Sequence, residues 1–192
     1  MILTPKISSF KLKYMAVYPD INLQSRIREI PDFPKKGIGF KDITPLLEDA
    51  EYFRQVIDCL AEIYKNKNIK KIVAIDARGF LLASALAYKL KTGLVIVRKK
   101  GKLPYKTIGC DYDLEYGKET LEIHKDSITP GERILIIDDV LATGGTALAA
   151  AKLVEKLKGR IIGISFLIEL LFLNGRKKLK KYKVVSLVQY RI

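Results

Sequence analysis

Four consecutive aliphatic residues, Ile134, Leu135, Ile136 and Ile137, run directly into two adjacent carboxylates, Asp138 and Asp139. A small-residue loop follows, Ala142-Thr143-Gly144-Gly145-Thr146, and a helical pattern begins there. A run that is apolar at every position suits a central strand of a parallel sheet, buried on both faces. The feature commits the chain to an α/β sheet and puts the loop at the carboxyl end of a strand, where open α/β sheets take their ligands. Gly144 and Gly145 let backbone N–H groups approach an anion, and Thr143 and Thr146 add hydroxyl donors. The start of the next helix offers unpaired N–H groups with a partial positive charge. A phosphate fits that loop. The acid pair repels an anion but can accept hydrogen bonds from two neighbouring hydroxyls. Phosphate on one side and a diol on the other describe a ribose 5-phosphate. The competing reading is a plain strand-to-helix turn capped by Thr143. Two acids directly after a buried strand weigh against it, because carboxylates at a buried edge are costly without a ligand or partner.

A second turn of the same kind is Ile75-Asp76-Ala77-Arg78-Gly79. Arg78 can donate two parallel hydrogen bonds to a pyrophosphate, and Gly79 permits the tight turn. Together the two turns place an anion holder at each of two neighbouring strand ends. An Asp-Arg surface ion pair is the plainer alternative.

The surrounding pattern alternates. Phe53, Val56, Ile57, Leu60, Ile63 and Tyr64 recur at helical spacing, predicting a helix over residues 49–65. Strands are expected over 71–75, 94–97, 161–169 and 184–190. Helices are expected over 80–90 and 145–157, the latter ended by Gly159. Strands separated by helices of this length imply right-handed crossovers and a parallel sheet. Only residues 99–130 break the alternation, and a loop this long inside a compact domain is usually a lid or binding loop. Thr120, Leu121 and Ile123 alternate as in a hairpin, so part of the segment can be paired.

Composition bounds the class. The 192 residues are 48% hydrophobic, as in one ordinary globular domain. No apolar run reaches the roughly 20 residues that span a bilayer; the longest, residues 161–173, is broken by Gly163, Ser165 and Glu169. Two cysteines, Cys59 and Cys110, make neither a disulfide scaffold nor a metal cluster and point to a reducing, cytoplasmic setting. One histidine, His124, leaves no histidine-based metal site or serine triad. The net charge of +14 suits a polyanionic ligand, although the lysines fall in short dispersed groups and read mostly as solvated surface. Residues 1–22 stand apart: acid-poor as far as Met15, without the arginines of a presequence, and read as an N-terminal extension of unknown use with Met15 as a candidate initiator.

Five separated segments resemble the adenine phosphoribosyltransferases, a family of type I phosphoribosyltransferases. They are REIPDFPKKGIGFKDITP (28–45), DARGF (76–80), RKKGKLP (98–104), LEYGKETLEIHKD (114–126) and IIDDVLATGGT (136–146). The resemblance implies a central, mostly parallel sheet flanked by helices, with a small N-terminal hood (about 28–45) and a flexible catalytic lid (about 99–125), in one domain over 23–192. It implies transfer of the phosphoribosyl group of phosphoribosyl pyrophosphate (PRPP) to adenine, giving AMP and pyrophosphate. Mg²⁺ would be held mainly by PRPP, with no direct protein ligand.

By that resemblance, Ala142, Thr143, Gly144, Gly145 and Thr146 bind the 5-phosphate, and Asp138 and Asp139 bind the ribose hydroxyls. Ala77, Arg78, Arg98, Lys99 and Lys102 bind pyrophosphate. Phe40 stacks on the purine while the backbones of Gly39 and Lys41 read its edge. Glu115 is the proton-handling carboxylate and Tyr116 covers the reacting centre. The resemblance also implies a homodimer, partly sharing the cations, with no nucleic acid or membrane partner. Two departures stand out: Ala77 replaces a serine found in some members, and Lys41 replaces a common arginine. The alternatives are another purine phosphoribosyltransferase and a non-catalytic, PRPP-sensing nucleic-acid-binding regulator on the same fold.

Overall fold

The structure is a computed structural model that describes residues 22–191, other than Pro34, Glu115 and Tyr116. The expected extension up to residue 21 and the two lid residues Glu115 and Tyr116 therefore lie outside the described residues. The chain divides into two compact units, Met1–Ile63 and Tyr64–Ile192.

In the first unit a 3-10 turn, Leu23–Arg26, leads into strand β1 (Arg28–Ile30), which pairs antiparallel with β2 (Phe40–Asp42). Helix α1 (Thr44–Glu48) follows, with Pro45 in its first turn where no N–H is needed. The Asp42 carboxylate accepts from both the Thr44 backbone N–H and its hydroxyl, and so fixes the exit from β2. Asp49 caps α2 (Ala50–Tyr64) by accepting from the Glu51 and Tyr52 N–H groups. The helical spacing read from sequence is the buried stripe: Val56, Ile57 and Leu60 are all buried.

The second unit is a seven-stranded sheet. Its strands are β3 (Lys71–Ile75), β4 (Gly93–Lys99), β5 (Thr107–Leu114), β6 (Gly117–His124), β7 (Arg133–Leu141), β8 (Arg160–Leu170) and β9 (Val184–Tyr190). Their order is β5-β6-β4-β3-β7-β8-β9. The five strands β4-β3-β7-β8-β9 are mutually parallel, and the β5–β6 hairpin adds to the β4 edge antiparallel. Helix α3 (Gly79–Leu90) links β3 to β4, and α4 (Gly145–Lys156) links β7 to β8. Ile134, Leu135, Ile136 and Ile137 are fully buried, as a strand covered on both faces requires.

Chain order places the site. From β3 the chain moves outward to β4 and its hairpin, then returns to lay β7 on the other side of β3. The strand order reverses between β3 and β7, and a crevice opens at such a switch point beyond the carboxyl ends of the strands.

Three details differ from the sequence reading. β7 extends through both acids to Leu141, so Asp138 and Asp139 are strand residues rather than loop residues. The hairpin expected for part of the 99–130 segment is longer than the alternation at 120–123 suggested, with β5 and β6 in continuous register from Thr107↔His124 to Leu114↔Gly117. Finally, α4 ends before Gly159, and the left-handed position beyond it belongs to Lys158 (φ 60°). Gly159 is needed for space instead, since a Cβ there would lie 2.8 Å from Val154 Cγ1.

Candidate active site

The two turns singled out in the sequence emerge side by side. Ala74 pairs with Ile137 in the β3–β7 register, so residues 76–79 leave the end of β3 beside Asp138 and Asp139 of β7, whose own end leads into the 142–146 loop at the switch point. The packing there is close: a Cβ on Gly79 would sit 3.0 Å from Asp138 Oδ1 and 3.1 Å from the Ile137 carbonyl oxygen. Glycine lets the first turn of α3 lie directly on the end of β7. The Asp76–Ala77 peptide bond is cis.

The phosphate loop keeps its donors open. Gly144, at φ +77°, is the N-cap residue of α4, and no side chain caps that terminus among the described residues. Thr143 therefore does not act as the cap that a plain strand-to-helix turn would use. No acidic residue lies in the first turn of α4, so its partial positive charge is not cancelled locally.

Asp138 is half-buried and Asp139 is buried. Asp138 Oδ1 accepts the Asp139 backbone N–H at 2.9 Å. Burial, then the neighbouring Asp139 charge, push the Asp138 carboxyl well above the usual range. Burial raises Asp139 too, against the opposing pull of Arg78. Arg78 Nε lies 2.6 Å from Asp139 Oδ2, yet Oδ2 receives no directed hydrogen bond among the described residues. The contact is thus a close charge pair whose N–H does not point at the oxygen. A buried carboxylate oxygen without a directed donor is suited to accept one from a ligand hydroxyl.

Apart from Arg78, the cations predicted for pyrophosphate sit at or just beyond the carboxyl end of β4, next to β3. Arg98 Nε donates to Asp76 Oδ2 at 2.9 Å, and Arg98 Nη1 reaches the Lys102 carbonyl at 3.4 Å. Lys99 Nζ pairs with Glu119 Oε1 at 2.7 Å. Lys102 and Ala77 are exposed. Arg78, Arg98 and Lys99 each face an acid, which fixes their direction and keeps the site from a bare excess of positive charge.

In the first unit the hood residues form a tight turn. The Asp32 carboxylate accepts the Gly37 N–H at 2.6 Å, and Gly37 takes φ +85°. Phe40 is half-buried and meets Phe33 edge to face, with ring centroids 5.1 Å apart. Lys41 is buried, its Nζ held 2.7 Å from Glu29 Oε1. The same carboxylate closes over Gly39, where a Cβ would sit 2.9 Å from Oε1. The Lys41 ammonium is thus engaged by Glu29.

Sequence reading missed Tyr112 and Glu119. They oppose each other across the β5–β6 hairpin, and the Tyr112 hydroxyl donates to Glu119 Oε2 at 2.8 Å. Burial, then the Glu119 hydrogen bond, push Tyr112 up to about 12, while Lys99 and Tyr112 hold the Glu119 carboxyl below the ordinary range. The Thr146 hydroxyl acts on the Tyr112 phenol in the opposite sense, pulling its pKa down. The hairpin is therefore tied to β4 through Lys99. Extending the alternation at Thr120 backward reaches Glu119, but its partner Tyr112 follows only from the hairpin register.

Comparisons with known proteins agree with this geometry. The phosphoribosyl transferase domain model matches residues 43–191. An adenine phosphoribosyltransferase of Clostridium botulinum is 56% identical over 172 residues, covering 90% of this chain and 100% of that protein. The crystal structure of the adenine phosphoribosyltransferase of Thermoanaerobacter pseudethanolicus superposes with a TM-score of 0.85 at 54% identity, covering 88% of this chain and 98% of that one. That of Saccharomyces cerevisiae, complexed with an imino-altritol bisphosphate and adenine, gives a TM-score of 0.83 at 38% identity, covering 92% and 99%. The five motifs, the switch-point crevice and these relatives together make the chain a member of the adenine phosphoribosyltransferase family of phosphoribosyl transferase domains.

Proposed function

We infer that the chain transfers the phosphoribosyl group of PRPP to adenine, giving AMP and pyrophosphate. The observation that carries this reading is the pairing, at one switch point, of an uncapped helix N-terminus with two carboxylates on the adjoining strand end. Relatives named for this activity cover nearly the whole chain.

In this mechanism Ala142, Thr143, Gly144, Gly145 and Thr146 hold the 5-phosphate through backbone N–H groups and two hydroxyls. Asp138 and Asp139 accept hydrogen bonds from the 2- and 3-hydroxyls. As the bond from C1 to pyrophosphate lengthens, positive charge grows on the ring, and the paired carboxylates oppose it. Arg78, Arg98, Lys99 and Lys102, with the backbone at Ala77, stabilise the leaving pyrophosphate. Phe40 stacks on adenine, a contact worth about 0.5–1.5 kcal/mol beyond burial, and the backbones of Gly39 and Lys41 read its edge. Glu115 and Tyr116 lie outside the described residues and are proposed as the proton-handling carboxylate and the cover of the reacting centre. The proton on N9 must leave as N9 attacks C1, which is the step Glu115 would assist.

Mg²⁺ fits a site of this kind, because it prefers substrate phosphate oxygens with a few waters and one or two carboxylates. The undonated Asp139 Oδ2 and its neighbour Asp138 are the residues able to face it through the ribose hydroxyls. When bound with PRPP, the cation would neutralise charge on the leaving pyrophosphate.

A homodimer is part of the reading. Leu81 and Tyr88 lie seven residues apart on α3, hence on one face, and are exposed together with Leu94 on β4. No helix among the described residues is long and apolar enough to cross a membrane; with two free, buried cysteines, a cytoplasmic setting is proposed. The test is to supply PRPP and Mg²⁺ with each purine in turn. AMP formed from adenine, without nucleotide from guanine, hypoxanthine or xanthine, supports the reading. Another base consumed preferentially would make the chain a different purine phosphoribosyltransferase, and no product with any base would remove the activity.

A further inference from the structure

The phosphate loop does not hold its shape by its own glycines alone. Its backbone rests on a second backbone segment at Gly175. A Cβ on Gly175 would sit 2.1 Å from the Ala142 carbonyl oxygen and 2.9 Å from the Gly144 nitrogen, and a Cβ on Gly144 would sit 2.5 Å from the Gly175 carbonyl oxygen. No side chain fits between these two strands of main chain.

Gly175 is itself fixed by its neighbour. It opens the 3-10 turn Gly175–Leu179 in the connection between β8 and β9, directly after Asn174 at φ 54°. Arg176 then grips Glu169 with two hydrogen bonds, Nε to Oε1 at 2.8 Å and Nη2 to Oε2 at 2.5 Å. Its Nη1 also reaches the Val184 carbonyl at 3.0 Å, and its Nη2 reaches the Ser186 hydroxyl at 3.3 Å. Glu169 is 2% exposed and accepts a further hydrogen bond from Gln189 at 3.1 Å. In the β7–β8 register Glu169 stands opposite Leu141, the residue immediately before the loop. A fork-shaped guanidinium on a buried carboxylate fixes both distance and angle, so this pair sets where the 174–176 turn lies.

We propose that Glu169, Arg176 and Gly175 are positioning residues for the 5-phosphate: the ion pair fixes the turn, and the turn sets the position of Ala142 and Gly144 beneath the anion. The inference rests on the reading that residues 142–146 hold that phosphate. A purely structural role for the pair, holding the crossover onto the sheet, would act on stability and on both substrates alike. A role through the loop acts on the phosphate selectively, because a shift of about 1 Å in a binding group can cost on the order of a hundredfold.

The experiment uses the full chain and its Gly175→Ala, Arg176→Lys and Arg176→Gln variants. Calorimetry measures ribose 5-phosphate affinity, steady-state kinetics give KM for PRPP and for adenine, and thermal unfolding gives Tm. Wild-type protein is expected to bind ribose 5-phosphate. Gly175→Ala is expected to weaken that affinity and raise KM for PRPP by about tenfold or more, with KM for adenine within about twofold. Should Gly175→Ala fail to fold, the arginine pair carries the test: Arg176→Lys, which keeps one charge, should fall between wild type and Arg176→Gln in ribose 5-phosphate affinity. Unchanged affinity in folded Gly175→Ala and Arg176→Gln overturns the proposal, as does a parallel loss of both substrates with a lowered Tm. Failure of the wild type itself to bind ribose 5-phosphate overturns the underlying assignment of the loop, and the proposal with it.

Discussion

Arg78 Nε stands 2.6 Å from Asp139 Oδ2, joining the turn after β3 to the end of β7 across the switch point. The contact links the residue expected at the leaving group to the residue expected at the ring. It also offsets the repulsion between two adjacent acids whose carboxyls burial has already raised.

Removing that cation should move the pH dependence in one direction. The acids accept at both oxygens and oppose the ring's positive charge only when ionised, so activity falls as pH drops through their raised pKa values. Arg78 lowers Asp139; without it the folded-state pKa rises further, and the acid limb moves to higher pH. Arg78→Gln is expected to show its acid limb in kcat/KM for PRPP at a higher pH than wild type. Coincident limbs would mean that the pair is not electrostatically coupled in the working enzyme.

The same acids should trade stability for function. A carboxyl whose folded pKa is raised supports the fold below its unfolded pKa and loses that support as pH rises through the folded value. At neutral pH the Asp138 charge is therefore a cost to the fold. Asp138→Asn is expected to raise Tm at pH 7 and lose that advantage at about pH 4, near the unfolded carboxylate value. Differential scanning calorimetry at the two pH values checks this.

Turnover should move the other way. Asp139→Asn is expected to lower kcat by about a hundredfold or more, the scale of losing one charge-stabilising contact. KM for adenine should change little. Near-normal turnover would remove Asp139 from the ring clamp.

The hairpin makes a milder prediction. Glu119→Gln weakens the hold on Lys99 and Tyr112, a partly exposed pair worth less than about 1 kcal/mol. Tm should therefore barely change, while limited proteolysis should cut the β5–β6 hairpin faster than in wild type. A large fall in Tm with unchanged cutting would contradict the view that this network tethers the hairpin locally.

Exposure on α3 gives the assembly test. Tyr88 is 90% exposed, and placing a charge there should not disturb the monomer. Tyr88→Asp is expected to shift sedimentation from dimer to monomer. A wild-type protein that sediments as a monomer would remove the homodimer from the account.

How much of this was legible in the sequence depended on where the physics was local. β7 could be read because four adjacent aliphatics leave a strand only one environment, and Gly144-Gly145 could be read because the loop follows at once. α2 could be read from Val56, Ile57 and Leu60, spaced for one buried face. Arg78 was recognised as a cation at a helix start, but its Asp139 partner lies on another strand, and only the β3–β7 pairing reveals it. Arg176 sits in one of the short cationic groups that read as solvated surface, and nothing local singles out Gly175. Their roles come from contacts with residues 142, 144 and 169, which no local pattern encodes. Tyr112 and Glu119 needed the hairpin register, and the lid segment offered too little alternation to fix it.

The most direct measurement is a crystal structure with PRPP and Mg²⁺ bound. The 5-phosphate is expected on the backbone N–H groups and hydroxyls of residues 143–146, with the ribose hydroxyls on Asp138 and Asp139 and the pyrophosphate beside Arg78. PRPP bound with its phosphate away from that loop, or with its ribose away from both acids, would contradict the account.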